Sequence, residues 1–287
     1  MKVLVLGGGQ IARAVAKSAP PAGHELMLQA RTDLDITDAV AVARVLASVK
    51  ADWIVNAAAY TAVDRAEDEP APARAANDTA VATLVDRAAH EGSRLLHLST
   101  DFVFDGQSTR AYLPGDAANP LSVYGATKLA GEQHVIECRA GIVLRTSWVY
   151  ASDGKNFVLT MLKLMREREQ VEVVCDQIGT PTWASSVAGA VWGLINAAVK
   201  GGIYHWTDLG VASWYDFAVA IQEEALERGL LSRAARVVPI PTNSYPSRAK
   251  RPNFSVLDTA ATRSMIKIPG QHWRHNLRMM LDEIRTE

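Results

Sequence analysis

The chain has 287 residues, with 30 Lys+Arg against 31 Asp+Glu and a formal net charge of −1. That length suits two structural units, or one large α/β domain with an appendage, and 48% hydrophobic with 21% charged residues excludes a disordered chain. The near-neutral balance argues against nucleic acid as a partner, and no apolar run approaches the ~18 residues of a membrane span. The apolar start Met1–Leu6 is cut off by Gly7-Gly8-Gly9, too early for the core of a signal peptide. Two cysteines, Cys138 and Cys175, exclude a disulfide scaffold and make the reducing cytoplasm the expected location. His272 and His275 stand close together without acidic or sulfur companions, so no metal site is expected. Neither a G-x-S-x-G elbow nor a G-x-x-x-x-G-K-[ST] loop occurs, which weakens serine-hydrolase and P-loop readings.

In chain order, Lys2–Leu6 reads as a buried strand and 10–19 as a helix opened by glycines and closed by Pro20-Pro21. Glu25–Gln29 is a strand, 38–50 a helix that Thr37 or Asp38 can cap, and Trp53–Asn56 a third strand. A long Ala-rich helix is expected over 71–90, a strand over 95–99, a helix over 123–138 and a strand over Ile142–Thr146. Such alternation implies a doubly wound parallel sheet covered on both faces. The Gly-, Asp- and Pro-rich stretch from 100 to 120 is longer than an ordinary connection and reads as functional. Beyond Val149 the pattern predicts helices over 156–167, 187–200, 213–228 and 273–284, and strands over 171–175 and 203–206. Four prolines between Pro239 and Pro252 imply an ordered, irregular arm.

Gly7-Gly8-Gly9-Gln10-Ile11-Ala12 follows the first strand directly and opens the first helix. In G-x-G-x-x-A the first glycine permits a tight turn, the second lets a pyrophosphate approach the backbone, and a small third residue lets helix and strand pack closely. The helix N-terminus favours the phosphates. An acid ending the second strand would bind the ribose hydroxyls of NAD, whereas a nearby arginine suits a 2′-phosphate. Here the strand ends Leu28-Gln29-Ala30-Arg31, so Arg31 points to NADPH, with NADH as the alternative, and Asp35 can accept from the adenine amine.

Tyr124 and Lys128, the only Tyr-x-x-x-Lys pair in the sequence, share one face of a helix. The strand ending Leu98-Ser99-Thr100-Asp101 delivers a hydroxyl to the same sheet edge. Ketone reduction needs a hydride on carbon and a proton on oxygen. A tyrosine near its usual pKa of ~10 is a poor acid at neutral pH, and a nearby ammonium lowers it. On this reading Tyr124 donates the proton, Lys128 tunes it and holds the nicotinamide ribose, and Thr100 anchors the carbonyl.

With these residues the sequence resembles the extended short-chain dehydrogenase/reductases, and within them the dTDP-4-dehydrorhamnose reductase family. The narrower resemblance rests on Val55-Asn56-Ala57-Ala58-Ala59-Tyr60-Thr61-Ala62-Val63-Asp64 and on Val123-Tyr124-Gly125-Ala126-Thr127-Lys128 with the following Leu129-Ala130-Gly131-Glu132. Arg145-Thr146-Ser147-Trp148-Val149-Tyr150, Asn156-Phe157, Asp176-Gln177-Ile178-Gly179-Thr180-Pro181-Thr182 and Lys250-Arg251-Pro252 extend it over nearly the whole chain. The resemblance implies reduction of the 4-keto group of dTDP-4-dehydro-β-L-rhamnose by NADPH or NADH. It places cofactor contacts at Gly9, Gln10, Ile11, Asp35, Ile36, Ala59, Tyr60, Thr61, Tyr124 and Lys128, beside Gly7 and Arg31 from the readings above. Substrate contacts fall on Thr100, Asp101 and Trp148, and the Arg251 arm is expected at the diphosphate, since Arg matches phosphate bidentately. A Rossmann-type NAD(P)-binding domain over 1–147 and about 184–209 is implied, with a smaller substrate domain over 148–183 and 210–287.

Three departures stand out. The glycine loop is one residue shorter than the family's usual form and ends in Ala12; Phe102 replaces a common tyrosine; and Ala14 and Ser185 stand where some members carry magnesium-binding glutamates. The expectation is therefore a monomer or weak homodimer that is not magnesium-bridged, and no bound metal. Alternative readings are a ketoreductase or epimerase of another nucleotide-activated deoxysugar, or a non-catalytic NADP-binding regulatory subunit. An intact Thr100, Tyr124 and Lys128 speaks against the last.

Overall fold

The structure is a computed structural model that describes residues 1–18 and 20–285. The first half is built from β1 (Lys2–Leu6), α1 (Gln10–Lys17), β2 (Glu25–Gln29), α2 (Ala39–Val49) and β3 (Trp53–Asn56). Then come α3 (Val63–Asp68), α4 (Pro70–Arg74), a π-helical turn (Ala75–Thr79), α5 (Ala80–Glu91), β4 (Arg94–Thr100), α6 (Val123–Glu137) and β5 (Ile142–Thr146). The second half adds β6 (Val149–Tyr150), α7 (Phe157–Glu167), β7 (Gln170–Val174), β8 (Ile178–Gly179), β9 (Thr182–Trp183) and α8 (Ala184–Asn196). It ends with β10 (Gly202–His205), β11 (Ala212–Ser213), α9 (Trp214–Glu227), β12 (Arg236–Ile240), α10 (Ala260–Ile266) and α11 (Trp273–Arg285).

Six strands form one parallel sheet in the order β10-β5-β4-β3-β1-β2. Its strands are apolar on both sides because helices cover both faces. On one face Val3, Val5, Val55, Leu96 and Leu144 pack against α1 and α8; on the other Leu4, Leu6, Ile54 and Val143 meet α2 and α5. A separate core gathers α7, α9, α11 and β7 around Phe217, Ile221, Leu277 and Met280. The chain leaves β1 toward β2 on one side and β3 on the other, and the crevice above that reversal is where ligands bind such sheets.

Local signals end the elements where the sequence indicates. The Asp38 carboxylate caps α2 by accepting from the N–H groups of Val40 and Ala41, each at 3.0 Å. Helix α1 ends at Lys17; Ala19, the last residue expected in it, lies outside the described residues.

Two expectations need correction. The continuous helix over 71–90 is instead α4, a π-helical turn and α5, because buried Asn77 turns inward to hold the Tyr60 backbone. The arm from Pro239 begins inside β12, which pairs in parallel with β7; an edge strand tolerates the missing N–H of proline. Helix α10 carried no expectation. No described helix is long and apolar enough to cross a membrane.

Candidate active site

Two adjoining clefts run along the carboxyl edge of the sheet. The first, of about 750 Å³, is lined by Gly7–Gly9, by Arg31, Asp35 and Ile36 after β2, and by Ala59, Tyr60 and Thr61 after β3. The second, of about 570 Å³, shares Gly9, Ala59 and Thr61 and adds Gln10, Ile11, Thr100, Asp101, Tyr124, Lys128, Trp148 and Arg251. Every residue expected at the cofactor or the substrate lies on one of these two walls.

The glycine turn is shaped for an anion. Gly7 has φ +120°, and a Cβ there would lie 2.9 Å from the backbone of Ala57 and Ala58, so only glycine fits. Gly9 faces open space and is the N-cap of α1 without any side-chain cap. The free helix N–H groups thus point at an uncrowded cradle. Arg31 is 86% exposed and pairs with Asp35 at 3.3 Å, whose carboxyl is held below its usual range first by the Thr37 N–H, then by the Thr37 hydroxyl. Asn77 fixes the other wall: its Oδ1 accepts from the Tyr60 N–H at 2.9 Å, and its Nδ2 donates to the Tyr60 carbonyl at 3.0 Å.

Deeper in the second cleft, the buried Ser99 Oγ, Asp101 Oδ2 and Thr146 Oγ1 have no hydrogen-bond partner. Unsatisfied polar atoms are costly in a sealed interior, so three of them where β4 and β5 end mark a wall made for a polar ligand. Burial pushes the Asp101 carboxyl up to about 6, against the pull of nearby Ser255 and Thr100. Glycine cradle, open helix end and orphaned polar wall together fit a dinucleotide with a polar substrate beside it.

Ser122 caps α6 by accepting from the Gly125 N–H at 3.1 Å, which fixes the turn that presents Tyr124 and, four residues on, Lys128. Gly125 is obligatory here, since a Cβ would lie 2.3 Å from the Phe102 carbonyl oxygen. The expected tuning of Tyr124 by Lys128 is not what the structure contains. Burial pushes the phenol up to about 12, the Thr100 hydroxyl opposes this, and the charge that faces it is Asp101. Lys128 is itself buried, its Nζ 2.7 Å from the Leu98 carbonyl and 3.0 Å from His97 Nε2.

On the substrate side, Trp148 lies flat on Trp214, with centroids 3.5 Å apart and planes 5° from parallel. Its backbone has φ +47°, a strained value for a bulky residue and a mark of functional sites. Gly179 closes the other face, because a Cβ there would lie 2.6 Å from the indole. Arg251 reaches the cleft already bound, its Nη2 2.5 Å from Asp64 Oδ2. Asp64 also accepts from Ser247 and from the N–H groups of Arg248 and Ala249, pinning the 242–252 arm to α3. Although burial pushes its carboxyl up, those hydrogen bonds and the Arg251 charge hold it below the usual range.

Sequence reading missed His97, Asn77, Gly179, Trp214 and the hub role of Asp64. Gly179 and Asp64 lie inside motif runs, but no local pattern tells which distant residue each one meets. Ala14 and Ser185 share a smaller hollow of about 300 Å³ with Arg13 and Lys17, both of which pair with Asp153. Among the described residues no cluster of three His, Cys, Asp or Glu side chains is assembled for a metal.

Comparison with known proteins agrees with this architecture. Residues 1–286 match the family described as the RmlD substrate binding domain. A dTDP-4-dehydrorhamnose reductase of Burkholderia thailandensis is 39% identical over 299 residues, spanning the whole of both chains. Among solved structures, a dTDP-4-dehydrorhamnose reductase from Clostridium acetobutylicum superposes with a TM-score of 0.92 at 34% identity, covering 99% of this chain and 100% of that one. One from Bacillus anthracis, in complex with NADP, gives 0.91 at 31% identity, covering 98% and 99%.

Proposed function

The chain belongs to the RmlD substrate binding domain family, and from that membership and the cleft geometry we propose that it is an NADPH-dependent sugar-nucleotide reductase. It reduces the 4-keto group of dTDP-4-dehydro-β-L-rhamnose to give dTDP-L-rhamnose. The observation that carries the reading is the meeting of Thr100, Tyr124 and Lys128 in one cleft continuous with the glycine cradle. A binding-only subunit has no need of that trio, and a full-length relative named for this activity supports the same conclusion.

NADPH, when bound, supplies the hydride. Gly7, Gly9, Gln10 and Ile11 would hold its pyrophosphate end, Arg31 its 2′-phosphate and Asp35 its adenine amine, and Ile36, Ala59, Tyr60 and Thr61 would line the channel between them. The Thr100 hydroxyl orients the keto oxygen. Tyr124, buried and held protonated well above neutral pH, surrenders its proton only to an oxygen becoming alkoxide, which is more basic than phenolate. This keeps the proton in place until the carbonyl is reduced. Asp101 meets a sugar hydroxyl through its unpartnered Oδ2, Trp148 supplies a flat wall, and Arg251 meets the diphosphate as half of an ion pair.

In this division of labour, 1–147 with about 184–209 carry the cofactor, and 148–183 with 210–287 the sugar nucleotide. The chain works in the cytoplasm as a monomer or weak homodimer without a magnesium bridge. The test is NADPH oxidation against dTDP-4-dehydro-β-L-rhamnose and a panel of other keto-sugars, repeated with Tyr124→Phe. That variant keeps the ring but not the proton and is expected to lose roughly 10²–10⁴ in kcat with little change in cofactor affinity. Near-full kcat on a reduced substrate would reassign the proton donor, Asp101 being next in line.

A further inference from the structure

The dipeptide Asn156-Phe157, one of the runs that carry the family resemblance, lines neither of the two clefts but touches a wall residue at each end. Asn156 is the N-cap of α7, where its Oδ1 accepts from the Leu159 N–H at 3.1 Å. Its Nδ2 donates to the carbonyl oxygens of Ala151 at 2.8 Å and Asp153 at 3.3 Å. One backbone donor and two backbone acceptors thus fix which end of the amide is which. The same Nδ2 donates to Gln10 Oε1 at 3.0 Å. Gln10 therefore turns its acceptor to Asn156 and keeps its Nε2–H donors for the cleft it lines. Donors are what a pyrophosphate requires.

The 151–156 segment is fastened to α1 a second time. Arg13 donates to Asp153 from Nε at 3.2 Å and from Nη2 at 3.0 Å, and its Nη1 donates to the Gly8 carbonyl in the glycine turn. Gly154 has φ +78°, and a Cβ there would lie 2.8 Å from Arg13 Nη2, so the segment lies directly on the guanidinium. In the other direction, Phe157 opens α7 with its ring centroid 4.7 Å from that of Trp214 and 5.4 Å from that of Phe217. Trp214 is the ring on which Trp148 is stacked, and its Nε1 donates to Gln177 Oε1 at 3.2 Å. A continuous path runs from Gln10 through Asn156, Phe157 and Trp214 to Trp148, joining the cofactor wall to the substrate wall.

We propose that Asn156 is a positioning residue through which cofactor and sugar nucleotide strengthen each other's binding. The inference rests on the reductase reading above, with a pyrophosphate at Gln10 and a sugar nucleotide against Trp148. A phosphate that accepts from Gln10 Nε2 polarises that amide and makes its Oε1 a better acceptor for Asn156. The Asn156 carboxamide is then held in the pose that starts α7 and seats Phe157 on Trp214. Whichever ligand arrives first orders the segment, so the second binds an ordered one and binds more tightly. The gain is the same in either order.

The test is titration calorimetry of the full-length protein with NADPH and dTDP-L-rhamnose, both already reduced, so that no hydride moves. In wild type, saturation with either ligand is expected to lower the Kd of the other about fivefold or more. Asn156→Ser keeps an oxygen that caps α7 but is too short to reach Gln10, so the ratio should fall to near one while each ligand still binds. Phe157→Leu cuts the path beyond Asn156 and should abolish the ratio with the Kd for NADPH alone unchanged, which decides the matter if Asn156→Ser fails to fold. Fluorine magnetic resonance of fluorotryptophan-labelled protein reads the path without any sugar: NADPH should shift the Trp214 signal, identified by Trp214→Phe, in wild type and not in Asn156→Ser. A wild-type ratio near one overturns the proposal. So does an Asn156→Ser protein that binds both ligands more weakly but keeps the ratio, the result of a merely structural role. If NADPH binds and dTDP-L-rhamnose does not, the substrate reading fails, and the Trp214 signal alone decides for or against Asn156.

Discussion

The substrate wall can be tested by adding a single methyl group. Gly179 lies beneath Trp148, and the Cβ of Gly179→Ala would stand 2.6–2.8 Å from three indole atoms. Carbon atoms rest at ~3.5–4.0 Å, so the ring must move by roughly 1 Å. It has nowhere to retreat, because its opposite face is stacked on Trp214 at 3.5 Å. Overpacking of this kind costs about 1–3 kcal/mol, and an aromatic stack is worth about 0.5–1.5 kcal/mol. The cheapest escape is for Trp148 to leave its strained φ of +47° and swing out of the stack. If the cost of restoring the platform falls on binding, KM for the sugar nucleotide rises about 5- to 150-fold. Thr100 and Tyr124 are untouched, so kcat should stay within a few-fold of wild type. Initial rates over a range of dTDP-4-dehydro-β-L-rhamnose give the KM. Far-ultraviolet circular dichroism reports the stacked indoles through their exciton couplet. A lost couplet with an unchanged KM would show that Trp148 is not a substrate wall; a couplet that survives would show that the core absorbs the methyl elsewhere.

Three further predictions follow from the same cleft. Arg31→Ala should raise KM for NADPH about tenfold, the scale of one charged hydrogen bond, and leave NADH nearly unchanged; equal losses for both cofactors would mean that Arg31 does not read the 2′-phosphate. Asp64→Asn removes the carboxylate that holds Arg251, the Ser247 hydroxyl and the 248–249 backbone, so protease cutting within 242–250 should quicken at neutral pH. Because the folded Asp64 carboxyl is held below its usual range, its contribution is present above the unfolded pKa and lost as pH falls through the lowered value. Wild type should therefore approach the variant's cutting rate only in acid, and a wild-type rate that never rises there would refute the clamp. Activity should survive chelation, with light scattering unchanged by EDTA; a dimer that falls apart on chelation would restore the metal bridge in spite of Ala14 and Ser185.

Short-range chemistry made much of this protein legible. A strand, a glycine turn and a helix in immediate succession form a phosphate cradle because the requirements of Gly7 and Gly9 are local ones of turn geometry and helix-end polarity. Tyr124 and Lys128 share a face because helical spacing alone puts them there, and the apolar runs β1, β3 and β5 match their expected limits because burial on both faces demands continuous hydrophobicity. Tertiary structure decided what those residues touch. The helix expected over 71–90 widens at Asn77 because that side chain is drawn to Tyr60, 17 residues earlier. The partner of Lys128 is His97, 31 residues away, and not the phenol one turn before it. Asp64 and Arg251 meet across 187 residues, and Gly179 is essential only because Trp148 lies on it. Periodicity and propensity act over a few residues, whereas the proton on a buried lysine and the pose of a strained tryptophan depend on whichever groups the packed sheet brings within 3 Å or so of them.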